Sequence, residues 1–191
     1  MKFTDGYWHF REGVTPHFPI HVHDIEMEPD ALIVYGTTKR LTQRGDVLNT
    51  GLLTVRFSSP MPDVIRVQMW HYKGQRPLSP TFALNTQPTS NLCIKNETDF
   101  ARLTSGSLTV RVDKGPDWRV DYLDDSRLLT RSNWRGMGYV DTPEGRYIHE
   151  QLDLSVGEYV YGLGERFTPF VKNGQVVDLW NEDGGTSSEQ A

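Results

Sequence analysis

Three histidines near the start of the chain, His17, His21 and His23, are the first side chains whose types and spacing suggest chemistry. In an extended strand His21 and His23 project to one face, as a zinc site would use. A closed zinc site needs four well-placed ligands, and no Cys, Asp or Glu stands at metal-ligand spacing to complete a set. Asp24 and Glu26 fall at offsets suited to a solvated strand edge, so no metal is expected. A second chemistry would be an acid/base carboxylate pair. Asp and Glu are plentiful, but most lie in turns or alternate with apolar residues. The exception is Tyr159–Phe167, where Gly162 and Gly164 flank one leucine ahead of Glu165 and Arg166. Glycines there permit close backbone approach or positive φ, and Glu165 with Arg166 reads as a structural ion pair. The single cysteine, Cys93, lies in the apolar run Leu92-Cys93-Ile94 and is expected to be a small buried core residue.

Composition narrows the partners. The 191 residues carry 20 Lys and Arg against 25 Asp and Glu, a formal net charge of -5, and the longest basic run is Lys39-Arg40. Nucleic-acid binding needs a concentrated positive patch that displaces counterions, and a polybasic membrane anchor needs the same. Neither partner is expected. The first residues, Met1-Lys2-Phe3-Thr4-Asp5-Gly6, contain no apolar leader, and no stretch reaches membrane-span length. These features predict a cytoplasmic protein. Nothing in the chain points to a cofactor.

The elements that must hold any site are strands. Apolar and polar residues alternate at 52–57, 64–70, 107–112, 118–122 and 127–129, and Ala31-Leu32-Ile33-Val34-Tyr35 is an apolar run ahead of a Gly-Thr-Thr turn. Such alternation turns one face of an extended chain to a core and the other to water. Turn signals lie between them, as in Lys114-Gly115-Pro116-Asp117 and Asp124-Asp125-Ser126. Short strands at close intervals predict an all-β antiparallel sandwich or barrel. No linker-like stretch interrupts residues 1–191, which read as one domain. Near the end, Gln175–Trp180 reads as a strand entering the polar loop Asn181-Glu182-Asp183-Gly184-Gly185, and nothing afterwards returns to the sheet. The domain is therefore expected to be incomplete at its C-terminus.

Several stretches resemble one family. Tyr161-Gly162-Leu163-Gly164-Glu165-Arg166-Phe167 is similar to the Y-G-L-G-E-R-F segment of glycoside hydrolase family 31. Asn173-Gly174-Gln175 and Leu179–Ser187 are similar to its bacterial α-xylosidase branch, as are the opening Met1–Trp8 and the weaker Thr104–Leu108 and Arg111–Gly115. The resemblance implies an antiparallel β-sandwich of the galactose-mutarotase-like supersandwich kind, truncated before a (β/α)8 catalytic barrel. The barrel of such an enzyme carries two Asp residues, one nucleophile and one acid/base, and reacts through a covalent glycosyl-enzyme. No catalytic residue is expected in this chain, which alone should be inactive. The resemblance gives the sandwich two roles: supporting its own barrel and sending the loop 173–187 over the barrel mouth. It implies that Asp183 contacts the leaving-group sugar, since a carboxylate accepts hydrogen bonds from vicinal hydroxyls. Trp180 then anchors the loop, Gly184 and Gly185 leave room for the ligand, and Gly162, Gly164, Glu165 and Arg166 are structural. The implied substrates are α-xylosides, with α-glucosides next, and the full-length enzyme is expected to be oligomeric.

Two other functions fit an all-β chain. Five Trp and eight Tyr could make a stand-alone carbohydrate-binding module, although Trp70, Trp118 and Trp134 lie in segments where burial is expected. A mutarotase-like aldose epimerase would need a Glu base and a His acid in one cleft, and His71 and His149 have no convincing Glu partner in the sequence.

Overall fold

The computed structural model describes residues 3–5, 9–71, 92–164, 167–177 and 179. They belong to two compact units, one of residues 1–12 with 154–191 and the other of residues 13–153. In the smaller unit, β1 (Thr4–Asp5) pairs antiparallel with β2 (His9–Phe10). The larger unit opens with β3 (Thr15–His17), β4 (His21–Met27) and β5 (Ala31–Thr37). A 3-10 turn at Arg44–Val47 leads to β6 (Leu52–Ser58) and β7 (Arg66–Trp70). β8 (Cys93–Asn96), β9 (Phe100–Ser105), β10 (Leu108–Asp113), β11 (Val120–Asp124) and β12 (Arg127–Ser132) follow, and then β13 (Met137–Thr142) and β14 (Gly145–Glu150). There is no α-helix among the described residues.

All pairings are antiparallel, and two of the sheets are simple meanders. One runs β4-β5-β6-β7 and the other β8-β9-β10-β11-β12, while β3, β13 and β14 form a third sheet in the order β14-β13-β3. Alternation decides what each strand buries. On β6, Leu53, Val55 and Phe57 point inward, while Arg56 points outward to Glu28 and Asp30. On β9 and β10 the inward residues are Ala101, Leu103, Val110 and Val112. These side chains join Leu32 and Val34 of β5, Val120, Met137 and Trp118 in one core. The expected sandwich is thus present, with its core between the two meanders. Each fully buried Leu, Val or Phe contributes roughly 1.5–3 kcal/mol.

Turn chemistry ties the sheets together. β9 and β10 are joined by the two-residue loop Gly106-Ser107, with Gly106 at φ 59°. Positive φ at the first loop position is what a tight hairpin demands, and glycine supplies it without strain. The Asp63 carboxylate, from the β6–β7 connection, accepts hydrogen bonds from the Ser107 N–H (2.7 Å) and hydroxyl (3.2 Å). The Ser59 and Ser105 hydroxyls meet at 2.7 Å beside it.

Four local expectations change. Cys93 is exposed: on β8, which among the described residues pairs only with β9, Leu92 and Ile94 pack toward the core and alternation sends Cys93 outward. Trp134 is 49% exposed, because it sits in the turn between β12 and β13 rather than on a strand. The run 175–177 with residue 179 is not strand, since no partner lies alongside among the described residues and an unpaired strand is not stable. Finally, β4 carries a bulge: Val22 faces Gly36 and Asp24 faces Tyr35, leaving His23 as the extra residue. The extra residue interrupts the strict alternation after Val22, while Val22 and Ile25 both still pack against the core.

Trp118 reaches so far into the core that a Cβ added to Gly36 would lie 2.5 Å from its Cζ3 and 2.7 Å from the Pro19 Cβ. Gly36→Ala is therefore expected to cost about 1–3 kcal/mol in urea unfolding, as overpacked cores do. Gly45→Ala, built into open space, should cost nothing. Equal stabilities for the two variants would show that the contact at Gly36 does not limit packing.

Candidate functional site

The densest cluster of chemistry-bearing side chains lies on the three-stranded sheet. Register puts Tyr139 of β13 opposite His17 of β3, and Asp141 opposite Arg146 of β14. Residues two apart on a strand share a face, so Tyr139 and Asp141 look the same way. The His17 ring stacks on Tyr139 with centroids 4.5 Å apart and planes 17° apart, and its Nε2 lies 2.9 Å from the Asp141 Oδ2. Arg146 donates through Nε to the other carboxylate oxygen, Oδ1, with its guanidinium carbon 5.4 Å from the Tyr139 ring. His71, just past β7, brings its ring centroid within 4.9 Å of Tyr139.

The electrostatics follow from these contacts. The Arg146 hydrogen bond, seconded by His17, holds the Asp141 carboxyl below its ordinary value against the opposing effect of desolvation. Burial, helped by the Arg146 charge, pushes His71 down, and burial pushes the Tyr139 phenol up. Here His17 and Asp141 hydrogen-bond each other, and both carboxylate oxygens are occupied. These contacts fasten β3 to β13 and β14. His149 projects from the opposite face of β14, where its Nδ1 lies 3.1 Å from the Gly136 carbonyl and its ring edge meets Phe18. Neither His71 nor His149 is paired with a Glu among the described residues, so this geometry does not assemble an epimerase pair. Among the described residues, no group of three His, Cys, Asp or Glu could hold a metal ion.

In the smaller unit, the segment leading toward the expected loop is held by side chains. Asn173 accepts from the Val160 N–H at 2.8 Å and donates to the Glu158 carbonyl at 3.0 Å. The Lys172 N–H bonds the Val160 carbonyl, while its Nζ reaches the Thr168 hydroxyl and the Pro169 carbonyl. Between these anchors Gly162, Leu163 and Gly164 take φ values of 102°, 68° and 81°. A Cβ at either glycine would meet nothing within 4 Å, so backbone conformation, not space, favours glycine there. Glu165, Arg166, Trp180, Asp183, Gly184 and Gly185 lie outside the described residues.

A family profile described as the glycosyl hydrolase 31 N-terminal galactose mutarotase-like domain matches residues 54–191. The chain belongs to this family. Among curated relatives, the alpha-xylosidase XylQ of Lactiplantibacillus pentosus is 37% identical over 193 residues. An alpha-xylosidase of Emericella nidulans is 36% identical over 212 residues. Both alignments cover 100% of this chain, which spans only 25% and 27% of those proteins. Among solved structures, the cycloalternan-forming enzyme from Listeria monocytogenes, in complex with its pentasaccharide substrate, superposes with a TM-score of 0.62 at 15% identity. That match covers 90% of this chain and 15% of that one. The uncharacterized protein lmo2446 from Listeria monocytogenes EGD-e, in complex with glucose, magnesium and calcium, gives 0.61 at 15% identity over 85% of this chain and 14% of that one. At such identities the likeness bears on the fold alone, and that fold is the sandwich described above.

Sequence reasoning missed the His17–Asp141–Arg146 cluster because its first two members are 124 residues apart and meet only through the β3–β13 pairing. A carboxyl held below its ordinary value of 3.8 stabilises the fold fully above about pH 4 and loses that contribution as pH falls through its folded value. Asp141→Asn should accordingly melt below the parent at pH 7, with the gap closing on acidification toward pH ~3. Parallel melting curves across that range in scanning fluorimetry would remove Asp141 as a stabilising contact.

Proposed function

We propose that the full-length protein carrying this chain is a retaining α-glycosidase that releases α-linked xylose from non-reducing ends. The observation that carries this reading is identity of 36–37% to two alpha-xylosidases along the whole of this chain. On this reading the two catalytic Asp residues lie in a barrel beyond these residues, one attacking the anomeric carbon and the other protonating the departing oxygen. The sandwich supports that barrel, and the loop 173–187 carries Asp183 to the leaving-group sugar, where its carboxylate accepts hydroxyl protons. Glucosides are the second substrate class. We place the enzyme in the cytoplasm, as an oligomer.

The smaller unit supports the supporting role. Val156, Tyr159, Tyr161, Phe167 and Phe170 are all exposed between residues 154 and 179. A run of exposed aromatics of this kind suits a protein contact, and the remainder of the full-length chain is the occupant this reading supplies.

Hydrolysis of an aryl α-xyloside and the matching α-glucoside, by the full-length protein and by this chain alone, tests the reading. The full-length protein should cleave the xyloside faster, and the chain alone should be inert. Turnover by the chain alone would place a catalytic carboxylate pair within these residues. In the full-length enzyme, Asp183→Ala should raise KM for a xylosyl disaccharide about tenfold, the worth of one charge-assisted hydrogen bond. Unchanged disaccharide kinetics would remove Asp183 from the subsite.

A further inference from the structure

The larger unit contains a cleft of about 390 Å3 at the ends of β10, β11 and β12, and its lining includes Trp134, Asp113, Asp117, Arg119 and Arg131. That volume lies near the lower end of the ~300–1,000 Å3 typical of ligand sites. Trp134 is about half-exposed, although a large indole gains most when buried. It is not loosely held. The Gly136 N–H bonds the Asn133 carbonyl at 2.7 Å, and the Asn133 amide donates to both oxygens of Asp153 at 2.8 Å. The Arg135 guanidinium carbon lies 4.5 Å from the Trp134 ring, which covers one face of the indole.

The other lip is also fixed. The Gly115 N–H bonds the Asp113 Oδ1 at 2.8 Å, and Arg40 donates to the Pro116 carbonyl at 3.1 Å. Asp117 is exposed and makes no hydrogen bond or ion pair among the described residues. The wall includes Trp118, whose Nε1 is buried and has no hydrogen-bond partner among the described residues. Its opposite ring edge lies against Gly36, so that nitrogen belongs to the edge away from the β5 contact. A buried donor without an acceptor is costly and uncommon in native proteins.

The charges in the lining cancel. Asp113 and Asp117 stand against Arg119 and Arg131. An anion would meet two carboxylates and a cation two guanidinium groups, whereas a neutral polyhydroxyl ligand can use both kinds of group, donating to one and accepting from the other. A sugar ring also presents an apolar C–H face suited to an indole. We infer that this cleft binds a neutral oligosaccharide, with the open face of Trp134 as the stacking platform and Asp117 accepting from ring hydroxyls. The inference goes beyond the hydrolase reading and does not depend on it.

The test uses the full-length protein titrated by calorimetry with cellotetraose, which has no α-linkage to cleave, and with maltotetraose. At least one should bind. Trp134→Ala should weaken that binding about tenfold, Trp134→Phe should retain most of it, and both should turn over an aryl α-xyloside as the parent does. A quench or shift of tryptophan fluorescence on titration should shrink in Trp134→Phe, where Trp118 is the lining tryptophan left, while the calorimetric signal remains. No binding of either sugar, or equal binding by the parent and Trp134→Ala, would overturn the proposal. Should Trp134→Ala fail to fold, Asp117→Asn carries the same comparison, and unaltered affinity there counts against the site. If glucose 6-phosphate binds at the cleft in place of the neutral sugars, the charge argument is wrong. Loss of xyloside turnover in the parent would instead sink only the hydrolase reading.

Discussion

The indole of Trp118 lies where the Cβ of any larger residue at position 36 would have to go, and the approach of the two meanders turns on that contact. Trp118 precedes β11 in the five-stranded sheet, and Gly36 is in β5 of the four-stranded one. An aromatic side chain removes roughly 150–250 Å2 from water when buried, the largest single contribution a residue can bring to such a core. A side chain that size fits between stacked sheets only where the facing strand has nothing to put in its way. The glycine is therefore a requirement of the tryptophan, and Leu32, Val34, Val110 and Val120 fill the space the indole leaves.

The same residue shapes the outer surface. With its benzo edge in the core, Trp118 forms part of the cleft wall beside a row of charges laid across three strands. Register places Arg111 opposite Asp121 and Asp121 opposite Arg131. Asp121 is only 6% exposed, which would be expensive for a lone carboxylate. Arg131 offsets this with hydrogen bonds to both its oxygens, at 2.5 and 3.3 Å, and Arg119 stands 3.6 Å away. Arg119 in turn donates to Asp113. These pairs tie the arginines to the carboxylates of the sheet, so the cleft beside them has walls fixed before any ligand arrives.

Most of the fold was legible because its signals are local. Alternation at 52–57 and 107–112 becomes β6 and β10, and the turn signal Asp124-Asp125-Ser126 becomes the β11–β12 hairpin. What was not legible depends on which face of a strand is covered, or on which strands meet. Leu92-Cys93-Ile94 looks uniformly apolar, yet β8, paired on one side only among the described residues, turns its cysteine outward. Trp134 carries no alternation because it is in a turn. The Gln175–Leu179 run has strand-like composition but no partner alongside among the described residues. The His17–Asp141 contact has no local signature, since β3 joins β13 after every intervening strand has been laid down. The family signature at 161–167 was legible as a resemblance, whereas its geometry was not: three successive residues at positive φ are a backbone feature, and only the two glycines announce it.

Among the described residues none after 153 is in a strand, which changes how they must be positioned. A sheet fixes a segment by satisfying its backbone with another backbone. Between residues 155 and 175 much of that work falls to side chains: Glu158 takes the Ser155 N–H, Asn173 bridges Val160 and Glu158, and Gln175 reaches the Val171 carbonyl. Lys172 is 7% exposed, and its ammonium is bonded to the Thr168 hydroxyl and the Pro169 carbonyl. Side-chain anchors of this kind define a path without a fixed register, and their direction rests on a few polar atoms rather than a ladder. Exposed Tyr161 and Phe170, with ring centroids 5.0 Å apart, contribute little to it while water surrounds them. Covering those rings with another protein surface would turn a path held by hydrogen bonds into one held by burial as well. Between residues 155 and 175 this chain supplies the hydrogen bonds from within itself.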